Sequence, residues 1–312
     1  MSNFAGSATL VTGGTGSFGQ VIVRQLLDAG AAQIRVLSRD EAKQDLMRER
    51  FADARIAFIT GDVRDAATVM AAMEDVQHVF HAAALKQVPN CERHPMEAIR
   101  TNALGSENVR LAALRCRPLS VVGISTDKAC SPISTMGLCK ALMERLLLQD
   151  TTSPTRFVCV RYGNVIGSRG SVVPLFADRI KRNLPIPITD PNMTRFLLSL
   201  PEAVETALDA SANGKQGELW VRRMPAATVS DLADAMAPGH PIDIIGPRPG
   251  EKLHEVLVNE DEMRRAYGFG DHFVIGSKAT APRQPSEYTS ANTTRLSVDE
   301  LRALLARAEA MP

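Results

Sequence analysis

Short apolar, β-branched runs alternate with longer amphipathic stretches through the first half of the chain. Runs at 8–11, 34–37, 56–59, 78–80, 119–124 and 157–160 predict strands. Between them, 19–29 carries Val21, Ile22, Leu26 and Leu27 on one helical face, with Gly30 placed to end it. A second helix is predicted over 136–149, with Leu138, Leu142, Met143 and Leu146 on a 3.6-residue stripe. Such alternation is the pattern of βα units around a parallel sheet.

Beyond about residue 165 the alternation fails and prolines crowd in, among them Pro174, Pro185, Pro187, Pro191, Pro225, Pro238, Pro241, Pro247 and Pro249. This half reads as a looser lobe built on the sheet. Strand character returns at 218–222 and 242–245, so the chain is expected to re-enter the sheet once, near 217–245, before a last short helix over 298–310. The predicted organisation is a dinucleotide-binding domain over 1–165 and a mainly substrate-binding lobe over 166–312. No internal repeat or low-complexity tract stands out.

Composition narrows the function. The 312 residues carry 36 Lys plus Arg against 35 Asp plus Glu, a net charge of +1. No field exists to gather nucleic acid or an anionic membrane. No apolar run approaches the roughly 20 residues that span a bilayer, and no basic region followed by a hydrophobic block opens the chain, so a cytoplasmic location is expected. The five cysteines, Cys91, Cys116, Cys130, Cys139 and Cys159, form no CxxC pair and disfavour both a disulfide framework and zinc. His78 and His81 fall in one predicted strand at an odd spacing that points them to opposite faces, so they read as unrelated histidines and no metal is expected.

The first strand runs through Thr12 into Gly13-Gly14-Thr15-Gly16-Ser17-Phe18-Gly19 and directly into a helix. Glycines there permit a tight turn and let backbone N–H groups approach a pyrophosphate without obstruction. The spacing of Gly13, Gly16 and Gly19 between strand and helix therefore predicts a dinucleotide site in a Rossmann-type, doubly wound parallel sheet. After the second strand, where an acidic residue would hold a ribose 2′-OH, stand Ser38 and Arg39. A hydroxyl and a guanidinium suit a 2′-phosphate, favouring NADP over NAD. Asp40 keeps NAD open, and Arg39 has a plainer reading as a strand-end residue. Asp62, in Gly61-Asp62-Val63, reads equally as an adenine ligand or as a helix N-cap.

These residues resemble the extended short-chain dehydrogenase/reductases, and within them the soluble inverting UDP-N-acetylglucosamine 4,6-dehydratases. The resemblance spans nearly the whole chain. It is carried by Thr12 to Gly19, Ser38-Arg39-Asp40-Glu41, Gly61-Asp62-Val63-Arg64-Asp65, His81-Ala82-Ala83-Ala84-Leu85-Lys86, Thr101-Asn102, Ser125-Thr126-Asp127-Lys128-Ala129, Arg161-Tyr162-Gly163-Asn164-Val165, Gly167 to Pro174, Met193-Thr194-Arg195-Phe196 and Gly250-Glu251-Lys252-Leu253-His254-Glu255. One departure matters. The superfamily sets a catalytic Tyr four residues before a Lys, whose charge lowers the phenol pKa. Here Lys140 stands, but Met136 occupies the tyrosine position, and a thioether cannot exchange a proton at neutral pH. Either catalysis is lost and a non-catalytic NADP-binding protein remains, or the chain is similar to an active subgroup of sugar dehydratases from capsule and lipopolysaccharide pathways that carries Met there. Glu287-Tyr288-Thr289-Ser290 and Asn292-Thr293 also resemble that subgroup, and the active reading is favoured because Asp127 and Lys128 are both present.

The resemblance implies oxidation at C4, elimination of water across C5–C6 and return of hydride to C6 by a tightly held, recycled cofactor. Lys128 would be the base at C5, which needs an unusually low lysine pKa, and Asp127 the acid at the C6 hydroxyl, which needs a high one. Thr126, or Ser125 if the register differs, would bind O4, and Lys128 would also take the C4 hydroxyl proton. Gly13, Thr15, Gly16, Ser17, Phe18, Gly19, Ser38, Arg39, Asp62, Val63, Ala82, Ala83, Ala84 and Lys140 would hold the cofactor. Asn164, the backbone around Val173, Arg195, Arg248 and Glu251 would hold the nucleotide, with Lys86 near the sugar. A UDP-sugar epimerase or a dehydratase of different regiochemistry is the alternative enzyme, and a homo-oligomer is expected.

Overall fold

The computed structural model describes residues 4–149, 152–168, 171–278 and 286–309. Sixteen strands are described: β1 (Ala8–Thr12), β2 (Gln33–Ser38), β3 (Ile56–Thr60), β4 (His78–His81), β5 (Ser120–Ile124), β6 (Arg156–Arg161), β7 (Asn164–Val165), β8 (Ile186–Ile188), β9 (Thr194–Leu198), β10 (Leu219–Arg222), β11 (Ala226–Thr228), β12 (Ile242–Ile244), β13 (Val256–Val258), β14 (Ala266–Phe269), β15 (His272–Ile275) and β16 (Tyr288–Thr289). Nine of them form one sheet in the order β14-β15-β10-β6-β5-β4-β1-β2-β3. From β3 to β10 every pairing is parallel, and β15 and β14 close the far edge antiparallel. This is the doubly wound α/β architecture, with the strand order reversing between β1 and β4, where a crevice opens at the carboxyl ends.

Each βα unit is built as its sequence dictates. Helix α1 (Ser17–Asp28) buries Ile22, Val23, Leu26 and Leu27 against the sheet and stops at Gly30, whose φ is +81°. Helices α2 (Glu41–Phe51) and α3 (Ala66–Met73) start at Asp40 and Asp65, whose carboxylates accept from Lys43 and Ala67 backbone N–H groups. The cap of α3 is thus Asp65, not Asp62. After β4 come α4 (Val88–Arg93), α5 (Pro95–Ala98), a π-helical turn (Ile99–Leu104) and α6 (Gly105–Cys116). Helix α7 (Thr135–Leu148) begins at the N-cap Ser134.

Three features differ from expectation. The stripe on α7 is only partly borne out: Met143 is buried and Leu146 half-buried, but Leu138 and Leu142 are exposed. The buried side carries Met136, Gly137, Cys139, Met143 and Leu147 together with two charged residues, Lys140 and Glu144, so apolar spacing alone misplaces the face. Secondly, β12 does not join the main sheet; it pairs in parallel with β8, and Ile242 and Ile244 remain exposed. The chain re-enters the sheet through β10 and then through the β14–β15 hairpin, which sequence patterning misses because Gly268 and Gly270 interrupt it.

Helices α8 (Val172–Lys181), α9 (Leu200–Asn213), α10 (Val229–Met236), α11 (Glu260–Arg264) and α12 (Val298–Glu309) complete the chain. Ala310, expected in the last helix, lies outside the described residues. α12 packs on α10, where Leu232, Leu301, Leu304 and Leu305 form a small second core beside the large sheet core. No helix among the described residues is long and apolar enough to cross a membrane.

Candidate active site

The glycine turn lies at the reversal of strand order. Gly13 has φ +68°, and a β-carbon there would meet the backbone of Ala83 at 2.8 Å, so the turns after β1 and β4 touch. At Gly19 a β-carbon would run into the backbone of Gly14, the close helix–strand approach that a third glycine serves. The N-cap of α1 is Gly16, and no side chain caps its first turn, in contrast to α2, α3, α7 and α9. A helix N-terminus at this position suits a pyrophosphate.

At the adenosine end Thr15 Oγ1 lies 2.7 Å from Ser38 Oγ. Asp40 caps α2 and pairs with Lys43. Arg39, half-exposed, reaches Asp62 Oδ2 at 3.4 Å, and Arg64 pairs with the same oxygen at 2.7 Å. Partial burial works against the Asp62 charge, but Arg64 and Arg39 outweigh it and hold its carboxyl below the usual range. Val63 is buried beneath Gly105. Ala82, Ala83 and Ala84 form the half-buried turn after β4, and Phe18 stacks on Tyr162 with ring centroids 6.4 Å apart.

The chemistry-bearing turn, Asp127–Ala129, follows β5 and is capped by Thr126. Asp127 is fully buried; its Oδ1 accepts from Thr126 Oγ1 at 2.8 Å and from Lys128 Nζ at 3.0 Å. Lys128 Nζ also stands 3.2 Å from Glu255 Oε1. Burial disfavours the ammonium, yet the two facing carboxylates outweigh it and raise the Lys128 pKa. The expectation of a low lysine pKa at this position is therefore corrected. The lysine that burial does depress, to about 8, is Lys140, whose Nζ donates to Ile124 O at 2.7 Å.

Ser125, the alternative to Thr126 for O4, is buried and donates its hydroxyl to Glu144. Met136 sits 4% exposed in an apolar cluster with Cys91, Ala98 and Cys139. All three phenols elsewhere in the chain are raised above their ordinary pKa. Of the three tyrosines, Tyr162 is raised by burial, Tyr267 is pushed to about 12 by burial and by Glu218, and Tyr288, raised by burial, is bonded to Met224 and Thr293. His81 is buried between Thr12 and Ser106, which burial and then Lys140 keep neutral with a pKa of about 3. His78 bonds Ser120.

On the second lobe Arg195 donates to Thr194 O and lies 3.8 Å from Glu255. Arg248 is exposed and stands 3.9 Å from Glu251. Asn164 Oδ1, Ser171 Oγ, Glu251 Oε2, Asp127 Oδ2 and Glu255 Oε2 are buried without a hydrogen-bond partner among the described residues. Val173 packs on the small core in α8, and Lys86 is an exposed residue after β4.

Two elements of the site escape local sequence reading. Glu255 is one. The other is Arg161, buried at 2%, which pairs with Glu144 and Glu262 and donates to Leu257 O. Burial opposes the Arg161 charge, but the two carboxylates hold its pKa well above the ordinary value. This network ties α7 and β6 to the segment carrying Glu255. Both residues lie within the quoted motif runs, but only the three-dimensional pairing singles them out.

The family model described as "Polysaccharide biosynthesis protein" matches residues 9–277. Proteins named UDP-glucose 4-epimerase are 43% identical in Rickettsia canadensis (strain McKiel) and 44% in Rickettsia bellii (strain OSU 85-389), each alignment covering 97% of this chain and 96% of the relative. The solved structure of Pen from Bacillus thuringiensis superposes with a TM-score of 0.93 at 37% identity, over 97% of this chain and 98% of that one. DesIV, a dTDP-glucose 4,6-dehydratase from Streptomyces venezuelae, shares the fold with a TM-score of 0.75 at 21% identity over 96% of each chain. With a family model matched over most of its length, a glycine turn at the switch point and paired charges at the end of β5, the chain belongs to the polysaccharide biosynthesis protein family.

Proposed function

We propose that this chain is a UDP-N-acetylglucosamine 4,6-dehydratase, a hydro-lyase that inverts C5 and yields a UDP-2-acetamido-2,6-dideoxy-hexos-4-ulose for surface polysaccharide or a glycosylated metabolite. The observation that supports it most is the contact of buried Asp127 with Lys128 at 3.0 Å on the turn that α7 packs against. Removing water across C5–C6 needs an acid for the departing hydroxyl and a base for C5, roles this pair fills once the lysine has given up its ammonium proton and the aspartate has gained one. Epimerisation at C4 leaves the pair without a task.

In this reading Gly13, Thr15, Gly16, Ser17, Phe18 and Gly19 cradle the pyrophosphate of NADP, Ser38 and Arg39 take its 2′-phosphate, and Asp62 and Val63 border its adenine. Ala82, Ala83 and Ala84 wall the crevice, and Lys140 holds the nicotinamide ribose. Bound there, NADP would supply a reversible hydride acceptor, which makes C4 a ketone and the C5 hydrogen removable. DesIV carries NAD in its solved structure, so NAD is the alternative. Thr126 holds O4, Lys128 accepts the C4 hydroxyl proton, hands it to Asp127 and then accepts the C5 proton, and Asp127 gives the proton it received to the departing C6 hydroxyl. Asn164, the backbone near Val173, Arg195, Arg248 and Glu251 hold the uridine diphosphate, and Lys86 lies near the sugar. A cytoplasmic homo-oligomer remains the proposed state; exposed Leu104 and Leu111 on one side, and Leu138 and Leu142 on the adjoining α7, offer apolar surface for it.

The names of the Rickettsia relatives favour a second reading, a UDP-glucose 4-epimerase. Incubation with UDP-N-acetylglucosamine and, separately, UDP-glucose separates the two by product mass. Dehydration makes the product lighter by one water, whereas epimerisation leaves the mass unchanged. Unaltered mass and a new C4 epimer from either sugar would defeat the dehydratase reading.

A further inference from the structure

Met136 leaves the proposed reaction one proton acceptor short. Two protons must leave the substrate, from O4 and from C5, and Lys128 is held as an ammonium by its surroundings. Before it accepts either, it has to lose a proton of its own.

Glu255 is built to receive it. Its side chain is 2% exposed, and its Oε1 stands 3.2 Å from Lys128 Nζ. Its backbone is pinned on both sides by Ser290: Glu255 N donates to Ser290 Oγ at 2.9 Å, and Ser290 N donates to Glu255 O at 2.8 Å. Lys252 Nζ ties the same segment to the chemistry-bearing turn by donating to Cys130 O at 2.6 Å. From the other side Arg161 donates to Leu257 O at 2.8 Å. Asp127, the other carboxylate on Lys128, is less suited. Its Oδ1 already accepts from Thr126, and the proton it has to gain is the one it gives to the departing C6 hydroxyl. The remaining charges facing Glu255 are Arg195 at 3.8 Å and Lys252 at 4.0 Å.

Resting on the dehydratase reading, we infer that Glu255 is the positioning residue that takes the Lys128 ammonium proton and so readies the lysine as the base that stands in for the absent phenol. One Nζ–H bond breaks and one Oε–H bond forms. The ion pair becomes a neutral amine and a neutral acid, with net charge zero before and after, so no net charge is created in a buried site. The amine lone pair then accepts the O4 proton as hydride leaves C4, passes it to Asp127 Oδ1 3.0 Å away, and is free to accept the C5 proton while Asp127 gives its proton to the departing C6 hydroxyl. Once C5 is reprotonated by the lysine, the proton on Glu255 returns to it.

The test compares wild type with Glu255→Gln and Glu255→Asp in the full-length protein. Turnover of UDP-N-acetylglucosamine is followed across pH, and the pH midpoint of Lys128 acylation by an amine-reactive ester is mapped by mass spectrometry. Glu255→Gln is expected to lower kcat by about 100-fold while changing KM by less than about threefold. Its Lys128 midpoint should move to lower pH, because one of two facing carboxylates is gone. Glu255→Asp, with its carboxylate drawn back from Nζ, should shift both readouts in the same directions by less. Wild-type kcat with an unmoved Lys128 midpoint in the Gln variant overturns the inference, and so does a loss confined to KM. Thermal melting and NADP binding report folding; if the Gln variant does not fold, the Asp variant decides by the same two readouts. A wild type that forms no dehydrated product overturns the dehydratase reading and this step with it, whereas a productive wild type matched by its variants overturns this step alone.

Discussion

Gly137 rests on the carbonyl of Lys128 so closely that a β-carbon on Gly137 would overlap that oxygen. The first turn of α7 and the turn bearing Asp127 and Lys128 are therefore set by one contact that only glycine permits. Backbone cannot yield as a flexible side chain would. Gly137→Ala should cost about 1–3 kcal/mol of stability through overpacking and should lower turnover by displacing Lys128. Urea melts and steady-state kinetics check the two effects together, and wild-type values in both would show that the helix can move at no cost.

Lys140 gives a pH-dependent stability signature. Burial lowers its pKa from 10.5 to about 8. Between those values the unfolded chain binds more protons than the folded one, so this group's contribution to stability rises with pH from about 8 to 10.5 and is most unfavourable below 8. Lys140→Met removes the buried charge at the expense of the Ile124 O hydrogen bond. It is expected to stabilise the cofactor-free protein at pH 7 by roughly 1–2 kcal/mol, to lose most of that advantage by pH 9.5, and to abolish turnover. Denaturant midpoints at the two pH values decide; an advantage that grows with pH would contradict the assignment.

Arg161 stands between Glu144 and Glu262, and removing it leaves two buried carboxylates facing each other's field. Arg161→Met should cost about 3–5 kcal/mol, and adding Glu144→Gln should recover part of the loss because one uncompensated charge is then gone. A double-mutant cycle in urea measures the coupling. Simple additivity of the two substitutions would deny the network its role in carrying the Glu255 segment.

Arg39 reports on cofactor choice. If it meets a 2′-phosphate, Arg39→Ala should weaken NADP by about tenfold or more, the worth of a charge-assisted hydrogen bond, and leave NAD nearly unchanged. Calorimetric titration with both dinucleotides reads the ratio. Equal losses for the two would make Arg39 merely the partner of Asp62.

How much of this was legible beforehand depended on the range of the interactions. β1 to β6 and the glycine turn are written locally, in β-branched runs and in glycines whose conformations the turn demands, and they stand where the pattern puts them. The buried face of α7 is only half legible, because Met143 is buried as its spacing predicts whereas Lys140 and Glu144 share that face and Leu138 and Leu142 lie outside. Glu255 could not be singled out locally, since its partner Lys128 is more than a hundred residues away and the two meet only through the fold. The same holds for Arg161 and Glu262. Ser125 and Thr126 read alike in the sequence, and only the fold brings Glu144, on another element, to accept from the Ser125 hydroxyl.

The most direct test of the central claim is to mix the protein with UDP-N-acetylglucosamine in deuterated water and follow the products by NMR. Elimination through Asp127 and Lys128 predicts a 4-keto-6-deoxy sugar with deuterium at C5, and C5 coupling constants of the inverted, L-arabino configuration. A C4 epimer carrying no deuterium, or intact substrate beside bound NADP, would contradict it.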